Sequence, residues 1–163
     1  MKTPLKILIC SLPFFFMMNA FVVPDMMEYD YIPIVHFDKQ PIIEGKLNGQ
    51  KAYFMLDSGS ELSLLNSEEA YAYDFEVSRM GPRDRMVEGI GGVGEKLHYV
   101  NEYELGLGIQ GEIDASFYAL RLGHLFEEMG EYRPIGILGG GLMRAYGFQI
   151  DFKNKLVRIK KMK

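Results

Sequence analysis

After position 31, apolar and polar residues alternate in short runs, the two-residue period of half-buried strands rather than the longer period of helices. The first runs are Ile32–Phe37, Ile42–Leu47 and Ala52–Asp57. Between the last two stands Asn48-Gly49, whose tolerance of positive φ predicts a tight hairpin. Further strands are expected at Lys96–Glu102, Tyr103–Leu107 and Ile113–Leu122. The chain ends in the same way, with Phe148–Phe152, a turn at Lys153-Asn154 and a closing strand over Leu156–Ile159. Helical signals are brief. Asn66 can cap a helix running to Tyr73, with Glu68 and Glu69 in its first turn, and Leu125–Met129 forms another. No internal repeat or low-complexity segment interrupts the pattern, which predicts an all-β fold with short helices.

Residues 1–23 break the alternation. Lys2 and Lys6 precede a stretch from Ile7 to Val23 that carries no charge, so this part reads as a signal peptide cut after Ala20 or as an N-terminal anchor. Met18 occupies a position that a cleavage site fills with a small residue, and the stretch is slightly short for a comfortable span. Export to a periplasmic or extracellular location, with membrane contact through residues 7–23, is the expectation. Residues 24–31 hold Pro24 and several acids without periodicity and read as a tether, which puts the folded domain at 32–160 and a basic tail at 161–163.

Composition narrows the functions available. Of the 163 residues, 48% are hydrophobic and 25% charged, which suits one packed domain. A net charge of −4 is too mild for a nucleic-acid binder or an acidic disordered chain. Cys10 is the single cysteine and lies inside the leader, with Ile9 where a lipoprotein signal carries a small residue. Thiol catalysis and cysteine zinc sites are therefore excluded. The histidines, His36, His98 and His124, are too scattered for a zinc-binding helix face. Gly89-Ile90-Gly91-Gly92-Val93-Gly94 spells the dinucleotide fingerprint, yet it follows the charged Arg83–Glu88 and leads into a strand pattern, the wrong context for nucleotide binding. Ser58 and Ser60 lack the Gly-x-Ser-x-Gly elbow of serine hydrolases.

What remains is carboxylate chemistry. An apolar strand, Tyr53–Leu56, delivers Asp57 into a turn of Ser58, Gly59 and Ser60. Such a turn alone is ordinary, because Asp, Ser and Gly are all turn formers. Some eighty residues downstream comes Ile137-Leu138-Gly139, followed by a helix start at Leu142–Tyr146. In this order and spacing the two elements resemble the active-site signature of retropepsin-like aspartic proteases. In that family the turn reads Asp-Thr/Ser-Gly-Ala/Ser, and two apolar residues and a glycine thread beneath it. Ser63 also stands where the family often has Ser or Thr.

The resemblance spans about residues 32–160 and implies a retropepsin-like β-barrel lobe with Asp57 as the catalytic acid, supported by Ser58, Gly59, Ser60 and Ser63. It casts Gly89, Ile90, Gly91, Gly92 and Val93 as the tip of a flap that closes over bound peptide. One Asp-Ser-Gly per chain implies a two-fold homodimer in which each copy donates Asp57. Asp114 and Asp151 lack the turn. The implied activity is peptide-bond hydrolysis on a peptide or protein substrate, with no metal and no organic cofactor. The alternative is a non-catalytic module that binds peptide or dimerises. The strand after Phe152 goes beyond the viral pattern and is expected to occupy the sheet edge.

Overall fold

The computed structural model describes residues 28–37, 39–82, 86–87, 95–109 and 111–161. The leader at 1–23 and residues 24–27 of the tether lie outside these residues. The chain forms β1 (Tyr29–Phe37), β2 (Pro41–Leu47), β3 (Gln50–Asp57), β4 (Ser63–Asn66), β5 (Glu76–Val77), β6 (Met86–Val87) and β7 (Glu95–Lys96). It continues with β8 (His98–Asn101), β9 (Leu105–Gly106), β10 (Glu112–Ile113), β11 (Phe117–Leu120), helix α1 (Gly123–Phe126), β12 (Gly136–Gly139), helix α2 (Gly140–Ala145), β13 (Gln149–Asp151) and β14 (Leu156–Lys160). A mixed sheet runs in the order β13-β14-β1-β2-β3-β12-β4-β11-β8-β5, with β9 joining β2 and β10 joining β9. Within it β3 and β12 are parallel, as are β4 and β11.

The β2–β3 hairpin turns at Asn48 (φ 51°) and Gly49 (φ 76°), with Leu47 opposite Gln50. Two successive positive φ angles give the twist that a two-residue hairpin needs. Asn48 also ties the turn to its surroundings. Its amide donates to the carbonyls of Tyr73 (2.9 Å) and Asp74 (2.6 Å), and its Oδ1 accepts the Glu104 N–H (2.6 Å).

Strand β3 is covered on both faces. Phe54 and Leu56 enter the main core with Leu65, Ala119, Leu138 and Val157. Met55 points the other way, into a second cluster with Leu64, Leu97, Leu122, Phe126 and Ile137. Burial on both sides is why the strand reads as a near-continuous apolar run before its terminal acid.

Several expectations need correction. The first strand begins at Tyr29 rather than Ile32, because Tyr29–Pro33 pair with Lys160–Leu156. The closing strand is not an edge. It lies between β1 and β13, which leaves β13 outermost. The run expected over Lys96–Glu102 divides at the buried Leu97, since β7 belongs to a separate hairpin with β6. The run over Ile113–Leu122 divides because the carbonyls of Asp114 and Ala115 accept the hydroxyls of Tyr146 (2.8 Å) and Tyr103 instead of ladder N–H groups. Burial raises both phenol pKa values, so these hydroxyls remain donors well into the alkaline range. The helix expected after Asn66 is one 3-10 turn, Ser67–Glu69, capped by the Asn66 side chain on the Glu68 N–H (3.4 Å). That expected at Leu125–Met129 begins earlier, as α1, and passes into a 3-10 segment kinked at Gly130.

Substituting Asn48→Ala removes three hydrogen bonds and places a Cβ residue without a polar side chain at positive φ. Its unfolding free energy in urea should fall by about 2 kcal/mol. An unchanged denaturation midpoint would show that the turn does not depend on Asn48.

Candidate active site

Asp57 is the last residue of β3, and the chain re-enters the sheet at Ser63 as β4. Between these strands runs β12. It is parallel to β3, with Ile137 opposite Met55, Leu138 opposite Leu56 and Gly139 opposite Asp57. It is antiparallel to β4, with Gly136 opposite Leu65 and Ile137 opposite Leu64. The strand therefore threads beneath the turn that carries the acid, and all four of its residues are buried.

Hydrogen bonds fix the turn from within and from below. The Gly59 N–H donates to Asp57 Oδ1 (2.9 Å), and the Ser60 N–H donates to the Asp57 carbonyl (3.2 Å). Ser60 Oγ donates to the Leu62 carbonyl (2.8 Å). From beneath, the Gly139 N–H donates to Ser63 Oγ (3.0 Å) and the Gly140 N–H to the Ser60 carbonyl (2.6 Å). Ser63 is buried, so its hydroxyl is committed to this bond.

The glycines below the turn follow from this approach. A Cβ on Gly139 would collide with the Leu62 carbonyl oxygen and stand 2.8 Å from that of Ser60. One on Gly140 would stand 2.8 Å from the Ser58 carbonyl oxygen, and one on Gly141 the same distance from that of Glu61. Sequence reasoning singled out Gly139 but not Gly140 or Gly141, although the unbroken Gly139-Gly140-Gly141 run was the available signal.

Asp57 itself is half-buried, while Ser58 and Gly59 are exposed. Its Oδ1 is held by Gly59, and among the described residues its Oδ2 makes no hydrogen bond. The turn thus orients a carboxylate with one oxygen anchored and one available. Asp151 is used differently. Its oxygens accept from the Asn154 backbone N–H (2.9 Å) and side-chain amide (2.7 Å), and these bonds hold its pKa below the usual carboxylate value. Asp114 is exposed between β10 and β11. The residues Gly89, Ile90, Gly91, Gly92 and Val93 lie outside the described residues, and the β6–β7 ladder, Met86 opposite Lys96 and Val87 opposite Glu95, brackets them. Among the described residues, no group of three His, Cys, Asp or Glu converges to hold a metal ion. A cleft of about 470 Å³ lined by Tyr31, Val35, Lys46, Gly106 and Ile109 does not include the Asp57 turn.

No protein-family model matches the sequence, and no curated protein matches it either. Solved structures do. A retropepsin-like aspartic protease from Rickettsia conorii aligns with a TM-score of 0.53 at 20% identity, over 82% of this chain and 90% of that one. The retroviral protease-like domain of Ddi1 from Leishmania major aligns with a TM-score of 0.51 at 14% identity, over 78% and 97%. The chain has the retropepsin-like fold. Nearly the whole of each neighbour is covered, so the likeness extends over the lobe rather than over an isolated motif.

Two substitutions separate the supports of the turn. Ser63→Ala deletes the buried acceptor of the Gly139 N–H and should lower stability by about 1–2 kcal/mol. Gly139→Ala forces a methyl group against two backbone carbonyls and should cost about 3 kcal/mol or more. Chemical denaturation of both proteins checks the order; an equal or smaller loss for the glycine substitution would contradict the threading.

Proposed function

We propose that the protein is an aspartic endopeptidase in which two copies of the chain bring their Asp57 carboxylates together. The observation that carries this reading is the held carboxylate: Asp57 is anchored through Oδ1 while Oδ2 accepts nothing within the described chain. Two carboxylates facing each other at short range cannot both ionise, so the pair shares one proton. The ionised member takes a proton from a water molecule as its oxygen attacks the peptide carbonyl carbon. The protonated member gives its proton to the carbonyl oxygen, which yields a tetrahedral diol. The newly protonated carboxylate then gives its proton to the amide nitrogen while the other takes one from a diol hydroxyl. The C–N bond breaks to leave a carboxylic acid and an amine, and the pair returns to its starting state, each member having served once as base and once as acid.

The turn suits this cycle because neither acid has to move. The Gly59 N–H stabilises negative charge on Oδ1 when Asp57 is the base. Ser58, exposed and without a hydrogen bond among the described residues, is free to contact the other copy's turn. In this reading the segment with Gly89, Gly91 and Gly92 would serve as a flap, its glycine backbone suited to pairing with an extended peptide, as in strand addition. The Lys2- and Lys6-led apolar segment supports export, with the domain acting on the far side of the membrane.

Incubation of the protein with a diverse peptide mixture, read by mass spectrometry, should show cleavage that Asp57→Asn reduces by about a thousandfold or more. The pH profile should be bell-shaped. Below its optimum both carboxylates are protonated and no base remains; above it both are ionised and no acid remains. Cleavage undiminished by Asp57→Asn would refute the assignment. A folded dimer that binds peptides and never cuts them would identify a binding module.

A further inference from the structure

The rim of the sheet at the Asp57 end carries an aromatic pair that the described chain leaves half uncovered. The ladders define this rim. β3 arrives with Asp57, and β2, antiparallel to it, leaves from Pro41. β1 arrives with Phe37 opposite Pro41; β14 leaves the same end, and β13 arrives there, so the turn after Asp151 brings in Phe152. The Phe37 and Phe152 rings lie 5.2 Å apart, tilted by 42°, and the two residues are 52% and 55% exposed. Single exposed apolar residues are common, but two phenylalanines that pack on each other in water mark an interaction surface.

Three observations choose the occupant. In the dyad reading the Asp57 site is half a site in one chain, so whatever completes it must approach this end of the sheet. The terminal strands are also already paired: β1 and β14 are joined within one chain from Tyr29–Lys160 to Pro33–Leu156, which leaves neither free on that side to interleave with another copy. Contact between copies must therefore rely on side chains to a greater extent. A membrane is the competing occupant, because Lys39, Lys153 and Lys155 flank the two phenylalanines in the sequence. The described chain, however, begins at the opposite end of β1, about 25 Å from Phe37 at strand rise, so an anchor preceding it would join the lobe away from the aromatic rim.

We propose that the Phe37–Phe152 pair is the apolar anchor of a two-fold interface between two copies of this chain, the interface that brings their Asp57 turns together. The proposal rests on the dyad reading of Asp57. Burying both rings removes an apolar surface from water near the axis, and the lysines that flank them in the sequence suit the polar border that such interfaces carry.

The test is sedimentation equilibrium of the full chain across a range of concentrations, with the double substitution Phe37→Ser/Phe152→Ser, Phe152→Ser alone, and Asp57→Asn. Circular dichroism and the thermal midpoint check folding. The parent and Asp57→Asn should form dimers with similar dissociation constants. Each serine should raise that constant about tenfold or more, and peptide cleavage by Phe152→Ser should recover as protein concentration rises. If the double substitution does not fold, Phe152→Ser, which lies in a turn, decides the matter alone. Unchanged dimerisation in a folded serine variant overturns the interface while leaving the peptidase reading intact. A parent that remains monomeric at every concentration also overturns it, as does loss of binding to anionic phosphatidylserine vesicles by the serine variants without a change in dimerisation. Dimers weakened by the substitutions, from a parent that cuts no peptide, would uphold the interface and overturn the peptidase reading.

Discussion

The placement of one strand between two others governs the rest of the molecule. Because β12 passes between β3 and β4, the turn joining those strands has to bridge over it, and Asp57 is lifted into that bridge. The surrounding residues meet the consequences. Gly139, Gly140 and Gly141 keep the passing backbone clear of the turn's carbonyls, and Ser63 provides the acceptor that Gly139 would otherwise lack. Leu56 and Leu138 fill one side of the parallel pair while Met55 and Ile137 fill the other. A carboxylate on an unsupported loop would sample many orientations. Here its backbone is fixed by packing on both faces and by bonds from below, the kind of preorganisation that acid–base chemistry needs.

The parts of this arrangement readable in the sequence are those whose causes are local. Asn48-Gly49 sets its hairpin through the φ angles of two residues, and the Asp57 turn announces itself through turn-forming residues after an apolar strand. The length of β1 was not readable in this way. Tyr29, Asp30 and Tyr31 sit in a polar, aperiodic stretch, and what makes them a strand is pairing with Arg158–Lys160 at the other end of the chain. Asp30 is the extreme instance. Only 2% exposed, it looks like a solvated acid in sequence, yet its carboxylate accepts the Ile109 N–H (3.1 Å) and pairs with Lys161 (3.5 Å). A buried charge is tolerable when it is hydrogen-bonded and paired, and here the partners come from segments far along the chain.

The candidate site shows the same division. The acid and the glycine that binds its Oδ1 are two residues apart, so their relation is legible. The Ser63–Gly139 and Ser60–Gly140 bonds cross most of the domain. Their presence could be inferred only through resemblance to a family in which the same threading occurs, because no local rule connects a serine after one turn to a glycine before a distant helix. The misplacement of β14 has the same origin: alternation identifies a strand, and it carries no information about which neighbours that strand will choose.

That choice of neighbours bears on how two copies would meet. With β14 inserted between β1 and β13, the ends of the chain close on themselves, and the lobe completes its sheet without borrowing a strand. Folding and association are then separable, unlike in a protein whose subunits complete each other's sheets and have no stable folded monomer. On the β14 side the outermost strand, β13, has three residues and ends in a turn locked by Asp151 and Asn154, a short edge for strand pairing between copies. In the proposed dimer, contact would fall mainly to side chains at the Asp57 end, where the exposed aromatic pair stands. Under the dyad reading the site would exist only when two such surfaces meet, so protein concentration would govern its activity without any change in the fold of either half.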